Sequence, residues 1–79
     1  MMSDYRMDIK GCIGLSDYSN IHDYLGVVDA DDNFTITLND SQENEISIIN
    51  SMLKDNYFCI WKEGYDDYGV YHIYSYKIK

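Results

Sequence analysis

The sequence predicts an α+β fold, a small two-layer sandwich in which an antiparallel sheet carries two helices on one face, in the order β-α-β-β-α-β-β, as a single domain over residues 1–79. Three observations support it: a period-two run from Tyr5 to Leu15, a helical apolar stripe after the capping sequence DSQE, and two aromatic, β-branched runs flanking GYDDYG near the C-terminus. Two helices that each follow a strand can pack side by side on one sheet face, an arrangement related to the split β-α-β unit with one extra strand.

From Tyr5 to Leu15 the odd positions read Tyr5, Met7, Ile9, Gly11, Ile13 and Leu15, and the even ones Arg6, Asp8, Lys10, Cys12 and Gly14. That alternation marks a half-buried strand, with Gly11 at a bulge or a close approach of a helix. In SDYSNIHDYLG, Tyr18, Ile21, His22 and Leu25 fall on one helical face, with Ser16 as N-cap and Gly26 as stop. His22 is expected at the edge of that face as an ordinary helix residue, because no nucleophile or carboxylate pair accompanies it.

Val27 and Val28 lead into DADDN, after which Phe34, Ile36 and Leu38 alternate with Thr35 and Thr37, predicting a hairpin with an acidic turn. Asp40 and Glu43 of DSQE form a capping box, and Ile46, Ile49, Met52 and Leu53 form the stripe of a helix over about residues 41 to 55. The last two runs, YFCIWKE and VYHIYSYKIK, pair as an antiparallel hairpin. In the final strand Tyr71, Ile73 and Ser75 face one way and Val70, His72, Tyr74, Tyr76 and Ile78 the other. Neither face is plainly polar, so Tyr71, Tyr74 and Tyr76 are all expected to pack rings against the body of the protein, with Tyr74 largely buried.

A chain of 79 residues buries only about 60% of the surface its unfolded form exposes, which leaves little room for a large enzyme-like pocket. Fourteen Asp and Glu face six Lys and Arg, and the net charge of −8 disfavours nucleic acid and anionic membrane surfaces as direct partners. Basic proteins or cations are the natural partners of such a surface. No stretch approaches the ~20 consecutive apolar residues that span a bilayer. The Met1-Met2 start carries no basic, apolar leader, so a cytoplasmic location with Cys12 and Cys59 reduced is expected. Cys12, Cys59, His22 and His72 are zinc-ligand types but lack the close pairing of structural zinc sites. No spacing assembles a nucleophile, a base and an orienting group, so the expectation is a non-enzyme with no catalytic residue, no metal ligand and no cofactor.

DADDNFTITLND, residues 29–40, resembles the EF-hand loop of calmodulin-like proteins, with Asp29, Asp31, Asn33, Thr35, Thr37 and Asp40 on loop positions 1, 3, 5, 7, 9 and 12. That resemblance implies a calcium-binding module as an alternative function. It departs from the pattern at Phe34, which holds the glycine position, and at Asp40, which replaces the bidentate Glu, so no specific calcium site is expected.

Tyr65 and Tyr68 sit in the GYDDYG turn, where there is little core to fill, beside Asp66 and Asp67. Rigid amphipathic rings, glycine and short polar groups are what binding surfaces favour. With the carboxylates of the other turn, the candidate partner-binding residues are Asp29, Asp31, Asp32, Tyr65, Asp66, Asp67 and Tyr68. If the two turns share an end of the sheet, their charges stand at spacings comparable with phosphates. In its small size, acidity and wealth of Tyr, Asn and Ile, the chain resembles phage-encoded anti-CRISPR and anti-restriction proteins as a class. The resemblance is compositional, without a diagnostic motif. It implies a cytoplasmic nucleic-acid mimic serving host-defence evasion, which binds the basic groove of a nucleic-acid-binding effector or nuclease. An immunity protein or antitoxin against a basic nuclease uses the same chemistry.

Overall fold

The computed structural model describes residues 4–11, 13–39 and 43–78. Its elements are β1 (Asp4–Lys10), α1 (Leu15–Val27), β2 (Asn33–Asn39), α2 (Glu43–Asp55), β3 (Phe58–Tyr65) and β4 (Tyr71–Lys77). They form one four-stranded sheet in the order β1-β2-β4-β3, with β1 parallel to β2 and β4 antiparallel to both β2 and β3. The α+β two-layer class is as the sequence predicts. β2 and β3 run the same way with β4 inserted between them, which is the split β-α-β arrangement.

The sheet is mixed rather than antiparallel, and the reason lies at Val27 and Val28. These are not a strand: α1 runs to Val27, and the Val28 N–H donates to the Tyr24 carbonyl at 3.0 Å. Val28, three residues beyond Leu25, extends the buried helical stripe and is fully buried, while Val27 is exposed. With no strand there, α1 alone joins β1 to β2, and a strand-helix-strand connection returns parallel. The expected first hairpin is therefore absent, and the described residues form one strand fewer than expected.

Other boundaries shift for local reasons. β1 stops at Lys10 because Gly11 takes φ 75, a left-handed conformation that glycine adopts without a Cβ penalty. α1 begins at Leu15, with the Gly14 N–H donating to the Asp17 carboxylate at 3.0 Å, so Gly14 stands at the expected place of Ser16. The helix passes through Gly26. Asp40 of the expected capping box lies outside the described residues, but Glu43 and Glu45 at the start of α2 and Lys54 at its end complement the helix dipole.

The core joins Ile21, Leu25 and Val28 from α1 and its C-terminus, Ile46, Ile49 and Leu53 from α2, and Ile9, Phe34, Ile36, Leu38, Phe58 and Ile73 from the sheet. All of these sheet residues share one face, so both helices cover it, and among the described residues the other face carries no helix. Phe34 is central: its ring stacks on Tyr24 at 5.6 Å and meets Phe58 at 6.0 Å. Opposite it, buried Ser75 donates its hydroxyl to the Phe34 carbonyl at 2.8 Å, which satisfies a polar group that would otherwise be stranded.

The final strand divides its faces as the alternation predicts and keeps Tyr71 and Tyr74 partly buried, whereas Tyr76, expected to pack its ring, is exposed. Tyr71, Ile73 and Ser75 face the helices, whereas His72 and Tyr74 occupy the uncovered face, where Trp61 packs on Tyr74 at 5.4 Å. Ile73→Ala is expected to cost ~2–5 kcal/mol, and Tyr74→Ala less than the ~3–5 kcal/mol of a core aromatic, because its partly buried ring gives up only part of that burial together with aromatic contacts worth ~0.5–1.5 kcal/mol. Urea denaturation of both variants measures the difference. The Tyr71 hydroxyl is pushed up to about 12 by burial and by its hydrogen bond to Glu63. A raised folded-state value stabilises below the ordinary tyrosine range and is lost as pH rises through about 12. The stability of Tyr71→Phe should therefore fall less steeply than that of the parent over that alkaline window.

Candidate functional site

The seven candidate partner-binding residues do not form one surface. The Asp29–Asp32 turn precedes β2, and Asn33 pairs with Tyr76, whereas the β3–β4 turn lies beyond Tyr71, which pairs with Leu38. At a rise of about 3.4 Å per residue those ends of the sheet are roughly 17 Å apart. The two acidic turns stand at opposite ends.

At the first turn, Asp31 takes φ 72, its N–H donates to the Lys77 carbonyl at 2.9 Å, and the Asp32 carbonyl accepts from the Lys77 N–H at 3.2 Å. Asp32 is buried, and its carboxylate accepts the Asp29 N–H at 3.1 Å. Its charge is used in holding the turn, leaving Asp29 and Asp31 exposed. The EF-hand geometry is not adopted: residues 33–39 form β2 and Phe34 is fully buried in extended backbone. Asn33, Thr35 and Thr37 are strung along a strand instead of converging. Among the described residues no group of three or more His, Cys, Asp or Glu side chains is placed to hold a metal ion. Of the four zinc-ligand types, Cys12 lies outside the described residues.

The second turn is organised around Asp66. One carboxylate oxygen accepts the Tyr68 N–H at 2.8 Å and the Val70 N–H at 3.0 Å, and the other meets His72 Nε2 at 2.8 Å. The Asp66 N–H donates to the Val70 carbonyl at 2.9 Å, and Gly69 at φ 80 closes the turn. The His72 hydrogen bond, followed by the backbone donors, holds the Asp66 carboxyl below the ordinary carboxylate range. Asp66 is thus the pin of the turn. Tyr65, expected in the turn, is instead the last residue of β3, because it pairs with Tyr71 and packs edge-on against that ring at 4.8 Å, while Tyr68 is 91% exposed with Asp67 beside it.

Next to this tip lies the uncovered sheet face, which the sequence reading did not single out. A bulge between Ile60 and Lys62 breaks the alternation of β3. Trp61, 57% exposed, packs on Tyr74, the Lys62 ammonium lies 5.8 Å from the Tyr74 ring centre, and His72 stacks on Tyr74 at 6.0 Å. Two shallow grooves of about 290 and 280 Å³ meet at His72 and Asp66; the first is lined by Arg6, Asp8, Lys10 and Thr37, the second by Lys62, Tyr65 and Tyr74. Asp8 accepts a hydrogen bond from the Thr37 hydroxyl, the largest cause of its lowered pKa, and pairs with Arg6 at 3.5 Å. The alternation in YHIYSYK could have indicated an aromatic second face, but nothing local marks the bulge that adds Trp61.

No helix among the described residues is long and apolar enough to cross a membrane. Compared with known protein families, curated proteins and solved structures, the chain matches none.

Asp66→Ala should leave global stability nearly unchanged while amide exchange at Tyr68 and Val70 speeds up. Because the folded-state value is lowered, the contribution of Asp66 is present above the ordinary carboxylate range and lost as pH falls through the lower folded value. Protection of those two amides should therefore fade on acidification in the parent and be absent at every pH in the variant.

Proposed function

We propose that this chain is a non-enzymatic acidic inhibitor that docks in the basic, nucleic-acid-binding groove of a partner protein, with the β3–β4 tip leading. The observation that carries this reading is the pre-organised tip: three hydrogen bonds to the Asp66 carboxylate hold a turn that presents Tyr68 and Asp67 to solvent. A ring held outside any core, on a turn whose conformation is already set, gives contact area at low entropic cost.

Charge placement supports the class of partner. Arg6, Lys10 and Lys62 line the grooves on the uncovered face, offset there by Asp8 and Asp66. The helix layer and its adjoining turn expose Asp23, Asp29, Asp31, Glu43 and Asp55 against one exposed lysine, Lys54. The outward surface of that layer is therefore strongly acidic, which favours a basic groove and disfavours nucleic acid itself. A CRISPR or restriction effector and a basic nuclease toxin offer the same groove chemistry, and the identity of the captured partner separates an anti-defence inhibitor from an immunity protein.

The test is capture of a partner followed by competition with that partner's nucleic acid. The parent should displace the nucleic acid. Tyr68→Ala should keep its stability within ~0.5 kcal/mol yet bind more weakly by ~1 kcal/mol or more. Asp67→Lys should slow association and flatten its salt dependence, and it is the better probe of charge than Asp66, whose replacement dismantles the turn. A partner that binds both variants as well as the parent, or that keeps its nucleic acid, overturns the reading.

A further inference from the structure

β1 borders the sheet and pairs on one side with β2; among the described residues no strand pairs with its outer edge. The opposite border, β3, is interrupted by the bulge after Ile60, which bends an edge away from further pairing. β1 has no such interruption: its register with β2 is continuous from Asp4 to Lys10. Asp4, Arg6, Asp8 and Lys10 are exposed and lie on the uncovered face, while Tyr5, Met7 and Ile9 lie on the helix side. Tyr5 and Met7 remain only half-buried there.

We propose that the β1 edge is a docking site for a second copy of this chain, which adds its own β1 antiparallel about a two-fold axis at Met7. The strand DYRMDIK, read backwards against itself with Met7 opposite Met7, places Asp4 opposite Lys10 and Arg6 opposite Asp8 on the uncovered face, and Tyr5 opposite Ile9 on the helix side. Every charged residue then meets its opposite, and every apolar residue meets an apolar one. Opposite charges and apolar pairs directly across antiparallel strands stabilise, and like charges destabilise.

The same pattern rejects the neighbouring registers. A slip of two residues one way sets Asp4 against Asp8 and Arg6 against Arg6; the other way, it sets Arg6 against Lys10 and Asp8 against Asp8. A slip of one residue sets polar side chains against apolar ones. Edge charges that merely protect a strand need only one sign, and a single sign would repel a copy. The alternating signs on β1 instead select one self-pairing. The Arg6–Asp8 contact within one strand is exposed on both sides and weak, so it does not compete strongly with exchange between copies.

The result joins two four-stranded sheets into one, with all helices on one side and the β3–β4 tips at opposite corners. This does not depend on what the tip binds.

Sedimentation of the full chain at physiological salt, from micromolar to millimolar concentration, tests the proposal. A dimer is expected, with amide exchange along β1 slowing as it forms. Asp4→Lys should weaken it about tenfold or more, because the two-fold axis repeats each like-charge pair. It should do so although the variant's net charge moves from −8 to −6, one Asp lost and one Lys gained, which by itself favours association. Adding Lys10→Asp returns the charge to −8 and should restore the parent affinity. Asp55→Lys, the same charge change on α2, should leave the dimer as tight or tighter. A parent that stays monomeric at millimolar concentration overturns the proposal, as does a dimer that Asp4→Lys weakens no more than Asp55→Lys. Circular dichroism confirms that each variant is folded, and should the doubly changed chain fail to fold, the comparison of the two single variants decides.

Discussion

The pairing of β2 with β4 holds the two halves of this protein in one sheet. The β1-α1-β2 unit is a parallel crossover and β3-β4 is an antiparallel hairpin, and β4 joins them into one sheet by inserting beside β2 with Phe34 opposite Ser75. Ser75 is small enough to be fully buried there and donates its hydroxyl back to the Phe34 carbonyl, while the Phe34 ring reaches α1 through Tyr24 and β3 through Phe58. A slip of one residue would turn Ile73 outward and His72 and Tyr74 inward. Burying Ile73 beside Ile36 and stranding a histidine in the core are such different outcomes that the register is strongly specified.

The chemistry of the surface follows from that register. With Ile73 inward, His72 faces the uncovered side, close enough to Asp66 to share the turn's carboxylate with the Tyr68 and Val70 amides. The exposed tip is therefore anchored to the sheet by a side chain whose orientation the core decides. Its rigidity has a packing origin, since the turn residues themselves bury little. The same layering leaves Trp61, Lys62 and Tyr74 on a face without helices, where they make contacts with one another that the core does not require.

Acidity has separate meanings at separate places. Asp32 and Asp66 act as acceptors for backbone N–H groups and hold turns, as short carboxylate side chains do well. Asp67, Asp29 and Asp31 are exposed and free to act at a distance through their charge. On β1 the carboxylates alternate with Arg6 and Lys10, so that edge is nearly neutral and patterned within an acidic molecule. A net charge summed over the whole chain conceals this division.

The class of fold, both helices and the final hairpin are legible in the residues alone, because each rests on local periodicity: Ile46, Ile49 and Leu53 on a helical face, and Ile73 and Ser75 on one side of a strand. Tyr68 is likewise legible as a ring without a core to fill, since a turn bounded by glycines has no neighbours to bury it. The partners of each strand were decided only by tertiary structure. Val27 and Val28 have a β-branched local signature, yet burial of Val28 beside Leu25 extends a helix and turns the expected hairpin into a parallel crossover. The separation of the two acidic turns, the pinning role of Asp66 and the outward face of Tyr74 all depend on which strands lie side by side. That choice is made by the summed burial of the whole core, and no window along the chain contains it.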